Sequence, residues 1–186
     1  MILPWVSLFP GALMPLKIFE ERYQEMLAHA LAGNRMFAIA HATEDESHCH
    51  PIGTLGLLRA CVRNEDGTSN LVLQGVSRVE FEEVRLEPYP HSKIKVLRDS
   101  DETSSLIEKL RKKITEDFKS RALENLGIPE SFLNHLDTIT SHGAFTDMIA
   151  STVIDDPDTR RLLIEELDIT CRMDLVHTIL QPSEGL

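Results

Sequence analysis

The residues of this chain best suited to chemistry stand together in "HATEDESHCH", residues 41–50. His41, His48, Cys49 and His50 offer imidazole and thiolate donors of the kind that bind zinc. One reading is therefore a small metal-dependent or small-molecule enzyme built on this cluster, with His48, Cys49 and His50 as the metal candidates. The spacing argues against it. Sequence neighbours seldom converge on one tetrahedral ion, and no C-x-x-C pair accompanies them. The other reading is a solvated loop between strands, with no metal and no cofactor.

Other chemistry is weaker still. Ser141-His142 is an adjacent pair, the wrong geometry for a nucleophile and its base, and reads as a helix cap. No G-x-S-x-G elbow occurs, and Gly53, Gly56 and Gly67 form neither a phosphate loop nor a dinucleotide fingerprint. Glu20-Glu21, Glu82-Glu83 and Glu165-Glu166 are consecutive, so each pair diverges onto solvated faces. The expectation is a chain with no catalytic residues.

The bulk numbers narrow the partners. Nineteen basic and 30 acidic residues leave a net charge of −11 over 186 residues. Nucleic acid and anionic membrane surfaces both need a basic face, so neither is an expected partner. The N-terminus shows neither a basic n-region nor a long apolar run. Three widely spaced cysteines suit reduced thiols, so a cytoplasmic location is expected.

Two kinds of spacing divide the chain. Before residue 98, short apolar runs separated by turn signals read as strands: 5–9, 36–42, 52–63, 70–76, 77–86 and 91–98. Asp66-Gly67 marks a hairpin, and residues 19–31 read as the one helix of this half. After "RDSDETSS" the period becomes helical, with Leu106, Leu110, Ile114 and Phe118 four apart. Four more helices follow, the last over 169–180. The resulting expectation is an α+β chain with a β-rich subdomain over 1–98 and a helical bundle over 104–186.

One segment fits none of the chemistry. "LFPGALMPLKIFEERYQEML", residues 8–27, sets Pro10, Gly11 and Pro15 among apolar residues, then turns into helical spacing. The prolines fix φ and remove two backbone donors. Phe9, Ile18, Phe19 and Tyr23 read as core. Leu13, Met14 and Pro15 read as an apolar loop tip that an extended peptide would meet.

This segment resembles the opening signature of the Lon protease N-terminal, substrate-binding domain family. The matching residues are Phe9-Pro10, Gly11, Pro15-Leu16 and Ile18 through Tyr23. Residues 52–84, with Gly75 and Arg78, resemble that family's glycine-containing strand and hairpin. "EPYPHSKIKVL" and residues 148–180 resemble its later strand and helical end. The resemblance implies a PUA-like β-barrel or sheet followed by helices. Full-length family members continue into ATPase and Ser–Lys protease modules. The chain shows no Walker A motif, so it is similar to stand-alone Lon-domain proteins, and proteolysis is not carried over. The function implied is recognition of unfolded polypeptide, as an adaptor or regulator of proteolysis, with pairing between copies (a homodimer) as a route to avidity. Arg78 reads as a structural residue.

Overall fold

The computed structural model describes residues 1–44, 48–99, 104–121 and 127–181. Its strands are β1 (Ile2–Leu3), β2 (Leu13–Ile18), β3 (Met36–Ala42), β4 (Cys49–Arg63), β5 (Ser69–Phe81) and β6 (Ile94–Val96). Its helices are α1 (Glu21–Ala32), α2 (Ser105–Arg121), α3 (Glu130–Thr138), α4 (His142–Val153), α5 (Pro157–Glu165) and α6 (Ile169–Leu180). The fold is α+β. It divides into two compact units, one of Met1–Arg98 with Asp155–Glu165, the other of Asp99–Ile154 with Glu166–Leu186.

The first unit is a mixed six-stranded sheet in the order β1-β3-β4-β5-β2, with β6 on β5. Among the described residues, only β1 and β3 run parallel. The 64–68 turn works as its sequence indicates. Gly67 takes φ +84°, and the Asp66 carboxylate accepts from the Thr68 amide and hydroxyl. The two strands expected over 70–86 are one, because β5 continues unbroken from Ser69 to Phe81. Residues 5–9, expected as a strand, are irregular: Trp5 sits at φ +63°, which breaks extension, although Leu8 and Phe9 are buried. α1 covers one face of the sheet with Tyr23, Met26, Leu27 and Ala30. These pack with Leu8, Ile18, Phe37, Leu58, Leu71 and Leu73.

α5 stands among the helices in sequence but belongs to the sheet unit. Arg78, fully within β5, explains how it is held. Its Nε donates to the Ile164 carbonyl and its Nη2 to the Leu163 carbonyl, each at 3.0 Å. A buried cation thus meets the negative C-terminal end of a helix. Arg160, from the same helix, donates to the Ser7 carbonyl and stacks over Phe9.

The second unit is helical. Ile107, Leu110, Ile114 and Phe118 of α2 form the stripe that the four-residue period requires, and Leu136, Phe145, Ile149, Met173 and Val176 complete its core. Ser141 caps α4 by accepting from the Ala144 amide at 3.2 Å, and Asp168 caps α6 through the Cys171 amide. Arg172 of α6 has 0% exposure. It makes a bidentate pair with Asp99 (3.0 and 2.6 Å), donates to the Glu166 carbonyl and faces Asp147 at 3.6 Å.

Candidate functional site

The elbow is a strand rather than a loop tip. Pro10 and Gly11 turn the chain, with Gly11 at φ +82°, and its amide donates to the Gly75 carbonyl. The Gly75 amide donates in turn to the Ala12 carbonyl at 2.9 Å while the Ala12 amide turns back to the Phe9 carbonyl, so Gly11 and Ala12 face Gly75 as a glycine bulge that leaves residue 12 in the bonded phase. In antiparallel strands, bonded and non-bonded pairs alternate. The register from Leu13↔Gln74 to Ile18↔Ser69 runs without a shift. Met14 and Leu16 therefore bond to β5, whereas Leu13, Pro15 and Lys17 aim their main-chain groups at the opposite side. That side has no strand partner among the described residues. Pro15 is tolerated because the donor it lacks would have faced outward.

The same alternation sorts the side chains. Met14, Leu16 and Ile18 turn to the core, and Ile18 is completely buried. Met14 is half-buried and packs against that core, so of the three elbow residues it is Leu13 and Pro15 that are exposed. Pairing extends their face across three strands in the rows Leu13-Gln74-Leu57, Pro15-Val72-Ala60 and Lys17-Asn70-Val62. Leu13 and Val62 are each 64% exposed, Pro15 and Ala60 are exposed, and Leu57 and Val72 are half-buried. The site is thus an apolar, water-facing row beside an open strand edge. Sequence reasoning missed Ala60, Val62 and Val72. Their signal was present in "ACV" and "LVL", where both faces of a strand are apolar.

The histidine–cysteine cluster separates. Ala42 pairs with Cys49, which places His41 and His50 on one face of the β3–β4 ladder and Cys49 on the other. The imidazoles of His41 and His50 meet edge to face, 5.9 Å between centroids. His50 Nδ1 faces Glu165 at 3.0 Å, and His41 Nδ1 lies 3.3 Å from the Ser7 hydroxyl. Cys49 lines an apolar pocket of about 400 Å³ with Met26, Phe37 and Phe81. Burial pushes its thiol above the ordinary range, away from the reactive thiolate. His48 is exposed in the loop, and residues 45–47 lie outside the described ones. Among the described residues, no group of three or more His, Cys, Asp or Glu is arranged to hold a metal ion.

Burial, with the nearby His50 and Arg161, holds the His41 imidazole below its usual pKa. The unfolded chain then takes up a proton near pH 6.5, before the folded one does. His41 therefore costs no stability above that pH, and stability falls as pH drops toward the depressed folded value. His41→Gln is expected to flatten the pH dependence of the urea midpoint between pH 7 and 5. An unchanged slope would show that other groups set it.

The family model described as the ATP-dependent protease La (LON) substrate-binding domain matches residues 1–182. The Lon protease of Desulfosudis oleivorans is 24% identical over 177 residues, covering 91% of this chain and 22% of its own length. That of Dictyoglomus thermophilum is 26% identical over 176 residues, covering 90% and 22%. The chain spans about a fifth of these relatives. Among solved structures, the N-terminal domain of a Mycobacterium avium complex Lon protease superposes with a TM-score of 0.82 at 15% identity, covering 100% of this chain and 97% of that one. A Lon N-terminal domain protein from Xanthomonas campestris gives 0.71 at 17% identity, covering 95% of each. At such identities these two establish the shared fold. Among the described residues, no helix is long and apolar enough to cross a membrane.

Proposed function

The chain belongs to the LON substrate-binding domain family, and from that premise we propose that it is a non-catalytic module that binds unfolded or extended polypeptide and serves as an adaptor or regulator of proteolysis. The observation that carries this reading is the exposed apolar row of β2, β5 and β4 beside the open edge of β2. An edge supplies main-chain hydrogen bonds to any sequence, and an apolar face rewards bulky side chains without demanding one in particular. A net charge of −11 supports a polypeptide partner over nucleic acid. Three free cysteines support action in a reducing compartment such as the cytoplasm.

Affinity for any one segment is expected to be weak. Ordering a flexible chain costs about 2–5 kcal/mol, against gains of about 1.5–3 kcal/mol for each apolar side chain fully buried. Two copies acting together would raise avidity with no new contact.

Retention of reduced, alkylated lactalbumin in EDTA tests the proposal. Leu13→Asp with Val62→Asp is expected to weaken retention about tenfold or more while leaving the melting temperature nearly unchanged, since both side chains are exposed. Met14 is left intact because it packs on the core. Undiminished retention by this variant contradicts the site. Stoichiometric zinc, lost on changing His48 and Cys49 to alanine, would favour the metal-dependent alternative.

A further inference from the structure

Resting on that reading, we infer a selection rule: β2 takes an extended segment that carries an acidic residue opposite Lys17 and apolar residues two and four positions later. The rule comes from hydrogen-bond phase and charge, two observations independent of how apolar the row is. The phase derived above gives the open edge two donors, the amides of Leu13 and Lys17, with a gap between them at Pro15. It also gives three acceptors, the carbonyls of the same three residues. A guest strand can engage both ends of this stretch only in the phase that sets its residues against Leu13 and Lys17 as bonded pairs. An antiparallel guest is the better paired of the two directions. In that direction the residue opposite Lys17 comes first, and those opposite Pro15 and Leu13 follow at +2 and +4.

Side chains of paired residues share a face. The guest's residues at these three positions therefore lie over the exposed row, beside Lys17, Pro15 and Leu13. Lys17 is exposed, and it forms no ion pair among the described residues. Its charge is felt at Asp66, which already accepts two bonds from Thr68. Arg63, one residue past Val62 and paired with Ser69, turns to the opposite face, and Arg59 is exposed at the irregularity of β4 between Leu58 and Ala60. Lys17 is thus the one charged residue in the three rows, and the complementary guest is acidic at its position. Intermediate guest residues turn to the other face, beside the half-buried Met14 and Leu16, where apolar side chains also fit.

Fluorescein-labelled peptides with the pattern Glu-x-Val-x-Val and Lys-x-Val-x-Val test the rule by fluorescence anisotropy on the full chain. The Glu peptide is expected to bind about two- to fivefold tighter, as an exposed cross-strand ion pair allows, and the difference should shrink as salt is raised. Lys17→Glu should reverse the preference. A merely structural role for Lys17 would not produce that exchange of partners. Pro15→Val supplies the missing outward donor and should strengthen both peptides. Equal binding of the two peptides, or a preference that survives Lys17→Glu, overturns the rule. If lactalbumin is still retained in that event, the polypeptide-binding reading stands and only the rule fails. If the wild type retains no lactalbumin, the broader reading fails with it.

Discussion

Arg172→Ala should lower the stability of the protein by about 3–5 kcal/mol, the cost of stripping one partner from a buried ion pair. The side chain has no exposure. Its removal would leave Asp147, at 2% side-chain exposure, and the partly buried Asp99 without the cation that faces both. It would also leave the Glu166 carbonyl without its donor. Gly143 belongs to the same device. A side chain there would run into the Asp99 carboxylate and approach Arg172 Nη2 at 2.9 Å, so its absence makes room for the pair. Urea denaturation followed by circular dichroism measures the effect, and a loss under about 1 kcal/mol would contradict the clamp. A double change, Arg172→Met with Asp147→Leu, should recover part of the loss because it removes a second stranded charge.

Gly75→Ala should cost about 1–3 kcal/mol and also weaken polypeptide binding. An added Cβ would overlap the Phe9 carbonyl oxygen and sit 2.8 Å from its carbon and 3.1 Å from Pro10 Cα, all backbone atoms that cannot swing aside. The same residue holds the turn into β2 through bonds with Gly11 and Ala12. Moving it displaces the start of the strand that the proposed guest would pair with. The coupling is what the measurement should read. Weakened lactalbumin retention that persists well below the melting temperature supports it, whereas lowered stability with full retention would separate the turn from the site.

The sequence was most legible where one physical rule acted alone. The period of α2 and the caps Ser141 and Asp168 needed only local geometry. β3, at residues 36–42, stood where its apolar run did. It was least legible where distant chain decided the matter. The elbow reads as a loop because two prolines and a glycine look like breakers. It is a strand because β5 lies beside it and because Pro15 falls at a position whose donor faces outward. The partners of Arg78 were out of reach for the same reason, since the α5 carbonyls come 85 and 86 residues later. Of the candidate site, Leu13 and Pro15 were visible from residue type. Val62 and Ala60 joined them only once the register placed their strand beside β5.

Amide-resolved hydrogen exchange in the presence of saturating alkylated lactalbumin tests the central claim most directly, because it reads the edge of β2 one donor at a time. The amides of Met14 and Leu16 should be protected throughout by their bonds to β5. Those of Leu13 and Lys17 should exchange quickly in the free protein and become protected when polypeptide is bound. Bound polypeptide that leaves Leu13 and Lys17 exchanging as before would contradict the account.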